Sequence, residues 1–175
     1  VVCGAAMAGL SGVLKARWNT NELISSFLIS GATIPVVNFL ISQTFKDPDS
    51  NLLSTVVIPH GYEFPRLMPP SNLAADFIPA LVLAALVYFF LYTTRPGYEL
   101  RIRGYNPAFA AYGGINVPRR TGLAMALSGA FHGLAGSMLV LGTHHAAIQG
   151  ASFGAGWNAI AVALIARNNP LFVPI

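Results

Sequence analysis

Apolar residues in this chain neither alternate with polar ones nor keep to one helical stripe; they run in long blocks parted by polar stretches. Blocks of this kind predict membrane-spanning helices, because about 20 consecutive apolar residues are needed to cross a bilayer core of about 30 Å. The first block, 1–14, is too short to cross alone and is expected to be the end of a helix, with Gly4, Ala8 and Gly12 four apart on one face. The second, 21–45, is long enough to span and carries Pro35 and Asn38, with a kink expected at Pro35. A third, 74–93, reads LAADFIPALVLAALVYFFLY over most of its length, with Asp76 near one end and Tyr88 and Tyr92 toward the other. The fourth covers 121–143. Beyond it a glycine-rich bend at Gly150, Gly154 and Gly156 leads into a short apolar run, 157–166, whose length suits a re-entrant or broken helix. The fold class expected is therefore all-α: a polytopic transmembrane helical bundle forming one partial transmembrane domain over 1–175. The chain opens within apolar sequence and stops as another apolar run, 171–175, begins, so it is expected to be a fragment of a longer protein.

The polar stretches fix the orientation. The segment 46–72 is broken by Pro48, Pro59, Pro65, Pro69 and Pro70 and is expected to be a loop outside the hydrocarbon. Lys46 and Arg66 set against Asp47, Asp49 and Glu63 leave it at −1, whereas Arg95, Arg101, Arg103, Arg119 and Arg120 against Glu99 leave 95–120 at +4. Short cationic loops stay in the cytoplasm, so 95–120 is expected to be a cytoplasmic loop and 46–72 an outer one. Lys15 and Arg17, two spans away, fall on the cytoplasmic side as well.

Composition agrees with this picture. The chain is 54% hydrophobic and only 9% charged, with a mean hydropathy of +0.60, against about 25% charged residues in an ordinary soluble domain. Its formal net charge of +4 resides in short loops rather than in a basic helix or an aromatic-studded groove, so nucleic acid is not an expected partner. Cys3 is the single cysteine, which excludes an intramolecular disulfide and a multi-cysteine metal site.

The sequence offers little to catalysis. No G-x-x-x-x-G-K-[ST] run exists to cradle nucleotide phosphates, and no nucleophile-base pair or paired carboxylate stands out, so no catalytic residue, cofactor or metal is expected. His144 and His145 are adjacent and do not share a helical face; they are expected to lie at the membrane interface rather than on a metal. Packing is better marked: Gly122, Ala126, Gly129, Gly133 and Gly136 recur at spacings of four and three, forming a face on which another backbone can approach closely or slide. His132 lies mid-span, where an ionisable side chain either lines a path or is hydrogen-bonded within the bundle. Trp157 and Asn158, beside the glycine-rich break, are further candidates for a solute path, while Trp18, Phe27 and Phe39 are generic lipid-facing or belt aromatics.

The run TRPGYELRIRGYNPAFAAYGGINVPRR, followed by LAMALSGAFHGLAGSMLVLG and GWNAIAVALIARNNPL, resembles the inner-membrane permeases of binding-protein-dependent ABC importers. NELISSFLISG and the proline-rich loop beginning KDP are similar to the nucleoside or simple-sugar branch of the ribose and branched-chain-amino-acid class. The resemblance implies a permease subunit of a bacterial inner-membrane importer, forming the path for a nucleoside or simple-sugar-like solute, with riboflavin as an alternative. It also implies a separate ABC ATPase subunit, a second permease subunit (identical or different) and an extracytoplasmic solute-binding protein. By the same resemblance 106–115 is the coupling helix that docks on the ATPase, with Asn106, Pro107, Phe109, Tyr112 and Gly114 as its residues. The local chemistry suits that role, since Asn106 can cap a helix that Pro107 begins and Phe109 and Tyr112 lie three apart. Ala108 and Ala111 stand where the family pattern has an acid and a base, and Asn158 where aspartate is common. An ion-driven carrier or channel is the main rival reading, yet such carriers place acids at mid-membrane and this chain offers only His132 there. A membrane anchor without transport explains the spans but not the cationic loop.

Overall fold

The structure is a computed structural model, which describes residues 1–48, 50–65, 67, 74–151 and 154–174. Asp49, Arg66, Pro69, Pro70, Asn72 and Ile175, which entered the reading of the loops and of the last apolar run, lie outside the described residues. Helices dominate: α1 (Val2–Trp18), α2 (Glu22–Phe39), α3 (Phe77–Thr93), α4 (Arg95–Tyr105), α5 (Pro107–Tyr112), α6 (Val117–Met138) and α7 (Ala155–Ile165). Among the described residues no strand forms, only isolated bridges between Lys46 and Thr55 and between Ser54 and Ile148.

Among the described residues two helices are long and apolar enough to cross a membrane by themselves. Helix α2 continues through a π-helical turn, Leu40–Thr44, to give a 23-residue candidate span, and α6 continues through Leu139–His144 to give 28 residues. At about 1.5 Å per residue either exceeds a bilayer core of about 30 Å. Helix α3, of 17 residues, is the most apolar; it ends at Thr93, and the axis of α4 is bent from it by 79°. Helix α7, of 11 residues, reaches only about 17 Å and starts after Gly154, whose φ of 76° is the left-handed turn that a glycine accepts without strain.

What is buried also marks the class. Among the described residues the largest fully buried side chain is that of Ser11, and the buried apolar positions are Ile41 and four alanines. Leu23, Phe27, Leu86 and Phe89 are instead 76%, 68%, 58% and 61% exposed. Large apolar side chains that face outward while small residues face inward suit a solvent of lipid tails, in which helices associate by close backbone approach. The chain is a membrane protein.

Clustering of backbone contacts divides the chain into two compact units, Val1–Val37 with Leu91–Ser137 and Asn38–Phe90 with Met138–Ile175. Every internal boundary falls inside a helix (α2, α3 or α6), so no linker separates them. In the first unit α1 and α2 form a hairpin. Asn19 adopts a left-handed φ of 50° and returns its N–H to Lys15, while Asn21 Oδ1 accepts from the N–H of Leu23 at 2.9 Å. The hairpin is held by a hydroxyl pair, Ser11 Oγ to Ser25 Oγ at 2.8 Å, and by Lys15 Nζ to Glu22 Oε2 at 3.0 Å. Both serines are buried, so each satisfies a polar group the other would otherwise strand. Helix α1 runs on to Trp18, beyond the apolar block at 1–14, because Lys15 and Arg17 in its last turn favour the negative end of the helix dipole.

The second unit shows how a proline-broken segment satisfies its backbone. The N–H groups of Thr55, Ile58 and Phe64 donate to the carbonyls of Ala147, His145 and Leu141 at 3.0, 2.8 and 3.1 Å, and Gln149 N–H returns to Leu53 at 3.0 Å. The segment 53–64 is thus laced to 141–149. His60 Nδ1 lies 3.1 Å from Glu63 Oε2, and His145 Nδ1 lies 4.0 Å from Glu63 Oε1.

Helices α4, α5 and the first turn of α6 fill the segment 95–120, the connection between spans that holds the expected coupling helix at 106–115. Pro96, Gly97 and Gly104 suggest turns, but Pro96 falls within the first two helical positions, where no N–H is needed, and Thr94 Oγ1 caps α4 by accepting from Gly97 N–H at 3.2 Å.

Candidate functional site

Helices α4 and α5 of the first unit build a surface with distinct chemistry. Asn106 ends α4 and starts α5; its Oδ1 accepts from the N–H groups of Ala108 and Phe109 at 3.0 and 3.1 Å, and Pro107 takes the first helical position. Gly113 N–H returns to Phe109, and Gly114 turns the chain out with a φ of 77°. Isolated turns this short do not persist in water, so the cap and the packing must hold α5. Ala110 supplies that packing, with no exposed surface at all.

Between α4 and α5 lies an open groove of about 380 Å³, walled by Arg95, Tyr98 and Ile102 on one side and by Phe109, Gly113 and Ile115 on the other. Around it the aromatic rings stand free: Tyr112 is 94% exposed, Tyr105 85% and Phe109 64%. Phe109 and Tyr112 were singled out by sequence; Tyr98 and Tyr105 were not. The signal was present, since they lie seven residues apart and so share a face of α4. A second capped start follows, where Asn116 Oδ1 accepts from Arg119 N–H at 3.1 Å, and Arg120 Nε donates to Glu99 Oε2, tying α6 to α4. Rigid helices thus present a small apolar, aromatic surface with Arg95 and Glu99 on the wall of its groove, an arrangement suited to protein docking rather than to bond chemistry.

The small-residue faces of α1 and α6 lie against each other, antiparallel. A Cβ on Gly4 would collide with the backbone of Gly129, one on Gly12 would meet Gly122 Cα at 3.0 Å and Met125 Cβ at 2.9 Å, and one on Gly133 would meet Val1 Cα at 2.8 Å. Ala126 joins the seam beside Gly9. Gly136 does not: a Cβ there meets nothing within 4 Å.

His132 Nδ1 lies 2.8 Å from the carbonyl of Ser128 one turn back; a carbonyl only accepts, so Nδ1 carries the hydrogen of that bond. Trp157 and Asn158 belong to the other unit, on the first turn of α7, where both N–H groups donate to Gly154. Trp157 is exposed. Among the described residues no group of three or more His, Cys, Asp or Glu is placed to hold a metal ion.

Comparison with known proteins sets this surface in context. The family model described as "branched-chain amino acid transport system / permease component" matches residues 1–175. The chain is 36% identical over 171 residues to the probable riboflavin import permease protein RfuC of Treponema pallidum, covering 95% of this chain and 45% of that protein. It is 32% identical over 181 residues to the guanosine ABC transporter permease protein NupP of Bacillus subtilis (99% and 52%) and 25% identical over 187 residues to the glucose ABC transporter permease protein TsgB13 of Haloferax volcanii (99% and 48%). The chain spans about half the length of the curated relatives it matches. No solved structure matches it.

Proposed function

Because the chain belongs to the branched-chain amino acid transport system permease family, we propose that it is part of the permease subunit of an ABC importer and forms part of the membrane path for a nucleoside or a sugar-like solute. The observation that carries the reading is the Asn106-capped helix α5, held out with Phe109 and Tyr112 exposed, in a chain matched by the family model from end to end. A docking helix of this kind needs a rigid base and exposed aromatic area, since aromatic anchors supply most of the binding energy of small interfaces. The partner is a separate ATPase subunit, which supplies the nucleotide chemistry. The remaining assembly is a second permease subunit and an extracytoplasmic solute-binding protein, in a bacterial inner membrane that the full protein crosses several times. The segment 95–120 faces the cytoplasm and 46–65 faces outward.

Guanosine and glucose in the names of two relatives support a nucleoside or sugar as solute, and riboflavin in the name of the third keeps a ring-bearing ribityl compound as the alternative. Uptake of labelled guanosine, glucose and riboflavin by cells lacking the full-length protein tests the choice. Loss of guanosine or glucose uptake, restored by the wild-type protein, is the expected result. Loss of riboflavin uptake alone moves the assignment to the alternative, and unchanged uptake of all three contradicts it.

A further inference from the structure

One face of α4 serves two neighbours. Arg95, Tyr98, Glu99 and Ile102 recur at helical spacing and form a wall of the groove against α5, whose Ala110 lines the same groove and is fully buried. Glu99 on that face also reaches α6: its Oε2 accepts from Nε of Arg120, in the first turn of α6. Between 95 and 138 Glu99 is the only acid in a stretch that holds five arginines. Among the described residues its ion pair is with Arg120. The side chains of Glu99 and Arg120 are 28% and 25% exposed. A charge-assisted hydrogen bond shielded to this degree holds more firmly than an ion pair in open water, which contributes little.

Two routes lead from α5 to α6. The covalent one, 113–116, contains Gly113 and Gly114, and Gly114 turns with a φ of 77°. Glycine backbone changes conformation at little cost, so this route is the pliable one. The other passes through α4, a capped helix, and across Glu99 and Arg120. Directly beyond Arg120, Thr121 is buried, and Gly122 lies so close to α1 that a Cβ on Gly12 would meet its Cα at 3.0 Å. A displacement of α5 is thus carried by the ion pair to the α1–α6 seam, where the glycine link by itself would absorb it.

We propose that the Glu99–Arg120 ion pair is the positioning contact that transmits movement of α5 into the membrane helix α6. The proposal rests on the reading of α5 as the ATPase-docking helix and adds how that docking reaches the bilayer. Glu99 and Arg120 act through α6 and not on the solute.

The test uses the full-length permease reconstituted in lipid vesicles with its ATPase and solute-binding protein, with labelled guanosine, glucose and riboflavin supplied together. Two quantities are read: the ATPase retained on the purified permease, and the ATP hydrolysed per solute imported, a ratio that does not depend on how much protein folds. Glu99→Gln and Arg120→Gln are each expected to retain the ATPase in full and to raise the ratio about tenfold. Glu99→Arg with Arg120→Glu, which rebuilds the pair in reverse, is expected to return it to within about twofold of the wild type. Single variants with an unchanged ratio overturn the proposal. Loss of the ATPase from either of them also overturns it, because the pair then supports docking alone. Should the single variants not fold, a folded swap whose ratio stays raised overturns it as well. Retention of the ATPase by Phe109→Ala with Tyr112→Ala defeats instead the reading of α5, so the two failures are told apart.

Discussion

Gly4 and Gly129 touch backbone to backbone: the carbonyl of each occupies the place where the other's Cβ would have to go. Backbone cannot yield as a flexible side chain does, so Gly129→Ala is expected to force α1 and α6 apart and to cost about 1–3 kcal/mol. Gly9→Ala, on the same pair of helices, would meet Ala126 Cβ at an ordinary 3.7 Å and is expected to stay within about 0.5 kcal/mol of the wild type. Thermal unfolding of the full-length protein in detergent checks both. Equal stability of the two variants would place the α1–α6 contact elsewhere.

Asp76 and Gly142 make a comparable contact in the second unit. A Cβ on Gly142 would lie 2.6 Å from Asp76 Oδ2 and 2.9 Å from its Cγ, at the π-helical end of the α6 span. Gly142→Ala is therefore expected to destabilise, and shortening the carboxylate in a Gly142→Ala, Asp76→Ala pair is expected to recover part of the loss. A coupling of about 0.5–3 kcal/mol in the double-mutant cycle is the expected range. Strict additivity would mean that the two residues do not meet.

The apolar blocks located the helical spans because a bilayer core requires long uninterrupted apolar runs, and they ended where charge began. The Asn106 cap was equally legible, since an Asn-Pro pair has few other uses at a helix start. Helix α4 was not, because Pro96, Gly97 and Gly104 carry turn signals and only the Thr94 cap, a single hydrogen bond, tips the balance. The lacing of 53–64 onto 141–149 was invisible for a different reason: it consists of backbone hydrogen bonds, which leave no side-chain pattern.

The proposed orientation rests on the opposite charges of 95–120 and 46–72. In a Cys3→Ser background, which removes the native exposed thiol, a cysteine at Ser50 is expected to react with an impermeant reagent in intact cells. One at Asn116 is expected to react only after the membrane is opened. The reverse pattern would invert the topology and take the coupling surface away from the cytoplasm.

The role of α5 is tested most directly by cutting back its two exposed rings. In the full-length protein, Phe109→Ala with Tyr112→Ala removes aromatic area that projects from the surface, so the membrane helices are expected to fold normally. Interface anchors of this kind cost about 2 kcal/mol or more when truncated, roughly a thirtyfold loss of affinity apiece. The decisive measurement is co-purification of the ATPase subunit together with solute uptake by the double variant. Loss of both from a folded permease is the result expected of a coupling helix; full retention of both would contradict the assignment of α5 as the docking element.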